Sequence, residues 1–283
     1  MTPEPRQRDD YGARQIQAAH RVLVDLGQVL ASFKDSLVVV GGWTPDLLLP
    51  NAEEPHIGSI DVDLALDAAK LGAGQYAELI QLLLDTKRYK PGDKDFQLVV
   101  EVDLEDGETP VPVEVDFLAA QDVKLKKNKP KLREGFRVLK AEGCNVAFHA
   151  PVEITIPGQN VRGAKNTVHM RVVSLADFVL MKAHAIGGRD TPKDVYDLCY
   201  ALAEFPGGLE ALAANWNQRM TNKDVAKAIT ILAEKFPTVD AFGPQQMVEF
   251  YAATNADERA MQARQAFELV LRLLRLLSDR TQR

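Results

Sequence analysis

The sequence is poor in cysteine, and neither of its two cysteines stands in a pair with metal-ligand spacing. Cys144 and Cys199 are the only ones in 283 residues, and they lie far apart in the chain. This pattern argues against a disulfide framework and against a zinc-finger site, and it is typical of the reducing cytoplasm. We therefore expect a cytoplasmic protein whose cysteines are packing residues.

Long apolar runs and an excess of positive charge are also missing. No apolar stretch approaches the roughly 20 residues that a membrane span needs. The N-terminal segment MTPEPRQRDD lacks the apolar core of a secretion signal. The net charge is −6, which argues against a protein that is basic over its whole surface. We expect no membrane partner, and nucleic-acid binding only through a local basic segment.

The periodicity of apolar side chains divides the chain into two parts. The first part is predicted to contain helices at 12–34 and 73–87 and strands at 37–40, 60–67, 96–102, 111–118, 145–148, 152–156 and 169–173. From residue 174 onward the spacing is helical throughout. The sequence thus predicts an α+β fold, with a mixed sheet and helices in a domain at 1–172 and a helical bundle at 173–283.

Two carboxylates stand two residues apart in the predicted strand IGSIDVDL. Asp61 and Asp63 therefore point to one face, where two ionised carboxylates repel unless a cation lies between them. Mg²⁺ or Mn²⁺, which prefer oxygen ligands, would relieve that repulsion. Asp116, in the segment VEVDF, would complete a three-carboxylate cluster if its strand is the neighbour. Such clusters serve phosphoryl or nucleotidyl transfer.

Two further features surround the carboxylates. Gly41 and Gly42 end the first predicted strand, and their backbone N–H groups could approach a phosphate. Ser59 shares the face of Asp61 and offers a hydroxyl. An Asp-x-Asp pair alone is also explained by a solvent-exposed strand face. The whole ordered set favours a site for metal and phosphate.

This ordered set resembles the nucleotidyltransferase superfamily that includes DNA polymerase β. Within it, residues from about 36 to 200 resemble the AbiEii-type enzymes, many of which are toxins of toxin–antitoxin pairs. The resemblance implies a polymerase-β-like domain that moves an NMP from an NTP to RNA, with tRNA the first candidate and an antitoxin as partner. It also assigns the triphosphate to Gly41 and Gly42 and the metal to Asp61, Asp63 and Asp116.

Two features depart from that family: the residue after Gly42, and the long loop with Pro55 and His56 that separates Gly42 from Asp61. Trp43 follows Gly42 where many members have Ser or Thr. A hydroxyl for the triphosphate would therefore come from Thr44 or Ser59. The same Gly-Gly-Trp segment is similar to antibiotic nucleotidyltransferases, which keeps a small-molecule acceptor open.

The helical half contains the segment FVLMKAHAIGGRDTPKDVYDL. Its cations Lys182, Arg189 and Lys193 could converge on a triphosphate, although a lysine on an apolar helix more commonly extends along apolar surface. The segment resembles the AbiEii-type family too. That resemblance implies Lys182 as a phosphate ligand and Asp194 as a second essential acid. Asp197 is expected to be structural, paired with Arg189 or Lys193.

A dense basic run occupies residues 124–133, from Lys124 to Arg133. It is either an arm that contacts the RNA backbone or a solvated loop of an acidic protein. His56, in the loop before Asp61, is expected to be a solvated histidine. Besides RNA modification, two functions stay open: an antibiotic nucleotidyltransferase, and a catalytically inactive module that binds nucleotide or a partner. The three intact aspartates argue against inactivity.

Overall fold

The computed structural model describes residues 5–67, 70–71, 75–121 and 138–278. Eight β-strands lie in these ranges: β1 (Leu37–Val40), β2 (Val62–Leu66), β3 (Tyr89–Pro91), β4 (Gln97–Val102), β5 (Val111–Ala120), β6 (Leu139–Ala141), β7 (Val152–Gln159) and β8 (Lys165–Val172). Nine α-helices accompany them: α1 (Ala13–Val29), α2 (Trp43–Leu48), α3 (Gln75–Asp85), α4 (Leu175–Gly188), α5 (Pro192–Ala203), α6 (Gly208–Asn217), α7 (Lys223–Lys235), α8 (Phe242–Tyr251) and α9 (Ala256–Ser278).

The chain folds into two compact units. The first, here called the sheet unit, contains Gly12–Leu47 and Gly58–Ser174. The second, here called the helical unit, contains the chain up to Tyr11, the segment Leu48–Ile57 and everything from Leu175 onward. A short stretch of the N-terminal half thus belongs to the C-terminal helices.

The sheet unit is built on one mixed sheet. Its strand order is β3-β4-β5-β2-β1-β8-β7, with β6 paired to β5. β1 is antiparallel to β2 and parallel to β8, whereas β2 and β5 are parallel. All four residues of β1 are buried, which matches a β-branched run in the middle of a sheet. Helix α1 packs on β5, β7 and β8.

The register of the sheet brings the acidic residues of two strands together. Asp63 of β2 pairs with Asp116 of β5, and Asp116 pairs with Gln97 of β4. On the other side of Asp63 lies Val40. Residues paired in register point to the same face of a sheet. The expectation that the strand of Asp116 is the neighbour of the Asp-x-Asp strand is therefore confirmed.

The helical unit consists of α4 to α9 together with the N-terminal segments assigned to it. Helix α4 packs on α5 and α7, and α8 packs on α5 and α9. The unit is helical over the part of the chain for which the apolar spacing predicts helices, because long apolar periodicities are a strong local signal. The predicted α+β fold, with a mixed sheet followed by helices, is confirmed. No helix in the described ranges is long and apolar enough to cross a bilayer.

One predicted strand is wrong. Residues 145–148 do not extend but lie in a 3₁₀ helix, Cys144–Phe148. Gly143 precedes it with a φ of 74°, a left-handed conformation that glycine adopts readily and that turns the chain. Cys144, Val146 and Ala147 are buried. A short apolar run of this kind has no period that separates a strand from a turn of helix.

Candidate active site

Gly41 closes β1 and makes room for a carboxylate. Its φ is +71°, a conformation that side-chain-bearing residues rarely adopt. A Cβ at this position would overlap with the Asp63 carboxylate. The backbone N–H of Thr44 donates to the carbonyl oxygen of Gly41 at 3.1 Å, which starts the turn into α2. The glycine that sequence alone assigned to phosphate therefore also fixes the place of Asp63.

Asp61 lies just before β2 and is held by two side chains. The Ser59 hydroxyl donates to Asp61 Oδ1 at 2.6 Å. The Trp43 indole N–H donates to the backbone carbonyl oxygen of Asp61 at 2.7 Å. Both Ser59 and Trp43 are buried. These contacts fix the backbone and the carboxylate of one predicted metal ligand.

Asp116 sits among other acids. Burial raises the pKa of Asp116 to about 6, and the nearby Asp61 and Glu114 carboxylates add to the effect, against the lowering influence of Gln97 and Lys94. The Gln97 amide nitrogen donates to Asp116 Oδ1 at 2.9 Å and to Glu114 Oε2 at 2.6 Å. Gln97 is buried. Sequence reasoning missed it, because only the register of β4 against β5 brings this amide to the carboxylates.

The three aspartates have the ligand chemistry that a hard divalent cation requires. Asp61, Asp63 and Asp116 offer only carboxylate oxygens. A cation beside them would favour the ionised form of Asp116, against the burial and, to a smaller extent, the carboxylate repulsion that raise its pKa. Across the described ranges, no three Asp, Glu, His or Cys side chains are arranged to hold a metal ion by themselves. Mg²⁺ is commonly bound by one or two carboxylates together with substrate phosphates and water, which such an arrangement allows.

The two predicted hydroxyl donors to phosphate differ in their surroundings. Thr44 is fully buried, and within the described structure its hydroxyl oxygen has no hydrogen-bond partner. Ser59 already donates to Asp61. Gly42 is buried in the turn between β1 and α2. The roles of all three toward a triphosphate stay predictions.

Lys182 lies in a buried ion-pair network of the helical unit. Its ammonium nitrogen is 2.8 Å from Asp194 Oδ1 and 2.7 Å from Asp197 Oδ2. Burial alone would lower the pKa of Lys182, but the two carboxylates outweigh it and raise the pKa. Lys193 Nζ also lies 2.8 Å from Asp197, at Oδ1. The lysine does not lie along apolar surface with a solvated head group, because both of its partners are buried carboxylates.

Arg189 is the member of this network that faces solvent. Its guanidinium binds Asp194 in a bidentate manner, Nε to Oδ2 at 2.6 Å and a terminal nitrogen to Oδ1 at 2.9 Å. Its side chain is 57% exposed, against 10% for Lys182. The network contains the two carboxylates of Asp194 and Asp197 and three cations, which are Lys182, Arg189 and Lys193. Its net charge is therefore +1 when His56 is neutral. A phosphate would meet this surplus first at Arg189.

His56 is not a solvated loop residue, so that expectation is wrong. Its Nε2 lies 3.0 Å from Asp197 Oδ1, and both side chains are fully buried. The imidazole stacks on Tyr196 and meets Tyr200 edge to face. No local signal marks this contact, because His56 and Asp197 are 141 residues apart. Cys144 and Cys199 are buried free thiols, as expected.

The basic run from Lys124 to Arg133 lies outside the described residues. The prediction that it contacts RNA therefore has no structural account.

The carboxylates lie on neighbouring strands of a mixed sheet, and comparison with known proteins gives the family. The model of the AbiEii nucleotidyltransferase toxins of type IV toxin–antitoxin systems matches residues 58–273, about three quarters of the chain. The chain belongs to the AbiEii family. It is thus a nucleotidyltransferase, as predicted. Enzymes of this kind generally use an NTP and a divalent metal ion, and the type IV system implies an antitoxin partner.

Among curated proteins, none matches this AbiEii chain. Among solved structures, one with a similar backbone is an antigenic nucleotidyltransferase-like protein from Paracoccidioides brasiliensis. It is 18% identical, the match covers 82% of this chain and 94% of that one, and the TM-score is 0.44. The family assignment does not depend on this likeness.

Proposed function

We propose that this AbiEii nucleotidyltransferase transfers an NMP from an NTP to an RNA acceptor, with tRNA the first candidate. The observation that carries the site is the pairing of Asp63 with Asp116 in register, with Asp61 two residues away on the same chain. Gly41, in its left-handed conformation, supports the assignment because only glycine leaves room for the Asp63 carboxylate there.

Asp61, Asp63 and Asp116 would hold Mg²⁺ or Mn²⁺. Such an ion supplies Lewis-acid stabilisation of the charge on the phosphate oxygens during transfer. In the reaction, an acceptor hydroxyl oxygen forms a bond to the α-phosphorus, and the bond from that phosphorus to the bridging oxygen breaks as pyrophosphate leaves. Asp116, ionised above its pKa of about 6, is our candidate to accept the hydroxyl proton.

A separate proposal concerns the helical unit. Its cations Lys182, Arg189 and Lys193 would bind phosphate, with Arg189 as the exposed fork. Asp194 and Asp197 orient these cations through the ion pairs described above. We assign Asp194 the role of a second essential acid because it contacts Arg189, the exposed cation of the network. Gly41, Gly42, Thr44 and Ser59 are the proposed triphosphate contacts of the sheet unit.

The test is a labelling experiment with wild-type protein. Each α-labelled NTP is incubated with the protein, Mg²⁺ and total RNA, and the label is followed into RNA. We expect one NTP to label a narrow size class of RNA, and Asp63→Asn to abolish the labelling. Labelling that persists in Asp63→Asn would remove the carboxylate site from the reaction.

One observation favours a second acceptor class. The sheet unit has a depression of about 330 Å³ on its surface. Its lining includes Gln97 and Glu114 together with the charged residues Arg88 and Glu101. Its size is near the lower end for small-molecule pockets, and its mixed charges suit a polar acceptor with amino and hydroxyl groups. A panel of aminoglycosides in the same assay separates the two classes. Label on an aminoglycoside and none on RNA would replace the RNA proposal.

A further inference from the structure

Asp61 and Asp63 are held in different ways, although they stand two residues apart. Asp63 lies inside β2, where it pairs with Val40 of β1 and Asp116 of β5. Asp61 precedes Val62, the first residue of the strand. The two flanking strands therefore fix the backbone of Asp63, whereas the backbone of Asp61 lies outside the paired stretch.

Two buried side chains hold Asp61 instead. Trp43 donates its indole N–H to the Asp61 carbonyl oxygen at 2.7 Å, and Ser59 donates its hydroxyl to Asp61 Oδ1 at 2.6 Å. The first bond fixes the main chain and the second fixes the rotation of the carboxylate. Together they leave Asp61 Oδ2 as the oxygen that neither of them engages.

Trp43 is itself held firmly enough to serve as an anchor. It is 1% exposed, and it is the first residue of α2, directly after the turn that contains Gly41. On its other side the indole lies against the imidazole of His20 from α1, with ring centroids 5.7 Å apart. An indole N–H can only donate, and a buried donor without an acceptor is costly. The indole N–H of Trp43 therefore keeps its hydrogen bond to the Asp61 carbonyl oxygen, and a firmly held ring holds that carbonyl in place.

We propose that Trp43 and Ser59 are positioning residues that together orient Asp61 toward a divalent cation. This inference rests on the proposed function, because it needs Asp61 as a metal ligand. It also gives a physical reason for the tryptophan that follows the glycine turn. Trp43 has no hydroxyl to offer a phosphate. It acts instead on the Asp61 carboxylate, by fixing the backbone of Asp61. Outer contacts of this kind tune metal affinity by orienting the ligand itself.

The chain offers a matched control for Trp43. Trp216, in the helical unit, is also fully buried, and its indole N–H donates to the carbonyl oxygen of Ala176 at 3.2 Å. Trp43→Phe and Trp216→Phe each remove one buried indole donor from one backbone carbonyl. We therefore expect a similar general loss of stability in the two variants. Only the first touches the contacts of Asp61.

The experiment measures Mn²⁺ binding to the full chain without nucleotide, from the loss of the free-ion signal in electron paramagnetic resonance. We expect Trp43→Phe to weaken Mn²⁺ binding about 10-fold and Trp216→Phe to leave it within about twofold. Ser59→Ala should weaken binding comparably, and Ser59→Thr, which keeps the hydroxyl, should restore most of it. The Ser59 pair also decides the question if Trp43→Phe does not fold.

Three results would overturn the inference, and they are distinguishable. If wild type binds Mn²⁺ but Trp43→Phe and Ser59→Ala bind it equally well, the positioning role is wrong while the carboxylate site stands. If wild type shows no binding with millimolar Mn²⁺, either alone or with a non-hydrolysable NTP added, the metal assignment of the proposed function fails together with the inference. Equal weakening in Trp43→Phe and Trp216→Phe would show a general effect of stability, and it too would overturn the positioning role.

Discussion

Gly41 meets two separate demands at the scale of a single residue. Its backbone is left-handed, with φ at +71°. The Asp63 carboxylate occupies the space that a Cβ at this position would need. The first demand concerns stability, because a residue with a Cβ is strained at this φ. The second concerns the site, because any Cβ displaces a predicted metal ligand. Backbone strain and crowding of Asp63 can be separated by comparison with another left-handed glycine.

We expect Gly41→Ala to reduce nucleotidyl transfer by about 100-fold, because a displacement of about 1 Å in a reacting group can cost that much. Gly107 is the matched control: its φ is +82°, and a Cβ there would meet nothing within 4 Å. Gly107→Ala should lower the melting temperature by a similar amount through backbone strain and leave the rate unchanged. Equal activity losses in the two variants would contradict the crowding of Asp63.

At the scale of elements, the segment Leu48–Ile57 is attached to helix α5 of the helical unit. The backbone N–H of Ile57 donates to the Tyr196 hydroxyl at 3.1 Å, and the Tyr200 hydroxyl donates to the Glu54 carbonyl oxygen at 2.7 Å. His56 adds its buried contact with Asp197. Helix α5 thus anchors the stretch of chain that leads along the sequence into Ser59 and Asp61.

Tyr196→Phe should release the Ile57 amide. We expect its hydrogen exchange to speed up about fivefold, since one hydrogen bond contributes about 1 kcal/mol to local protection. Tyr200→Phe is the control, because it removes a donor to Glu54 and leaves the acceptor of the Ile57 amide in place. The measurement is amide exchange resolved to single residues. Unchanged exchange at Ile57 in Tyr196→Phe would rule out this attachment.

At the scale of the whole molecule, buried charge makes the stability of the helical unit depend on pH. Burial by itself would raise the pKa of Asp197, but Lys182 and Lys193 overcome it and hold this pKa well below 3.8. The pKa of Asp194 is also lowered, by Lys182 and Arg189 against the same effect of burial. The folded chain therefore binds fewer protons than the unfolded one in acid. Stability is fully present above about pH 4 and is lost as pH falls through the folded-state pKa values.

Chemical denaturation between pH 5 and pH 2 tests this dependence. We expect the free energy of unfolding to fall steeply below pH 4 in wild type. Asp197→Asn should flatten the slope by up to about 1.4 kcal/mol per pH unit, because one depressed carboxyl no longer titrates. Asp190→Asn is the control, since Asp190 forms an exposed ion pair with Arg6. A slope that is the same in wild type and Asp197→Asn would exclude Asp197 as a source of acid sensitivity.

The sequence by itself determined the elements and one face of the site. The helices from α4 to α9 and the central strands follow from apolar periods of 3.6 and 2, which are local properties of the chain. The same period of 2 placed Asp61 and Asp63 on one face. The order of the glycine turn, the Asp-x-Asp strand and the third aspartate was enough to indicate the family.

The tertiary structure alone decided which side chains surround those residues. Gln97 reaches Asp116 through the register of β4. Trp43 contacts Asp61, which lies 18 positions further along the chain, and His56 contacts Asp197, which lies 141 positions further along. A periodic pattern tells which face a residue occupies but not which distant residue lies opposite it. Lys182 is the clearest case: the sequence allowed a solvated head group and favoured a phosphate ligand, and neither reading included the two buried carboxylates that folding places at its ammonium. Contacts of this kind depend on how elements pack, because burial and pairing are settled only when distant segments meet.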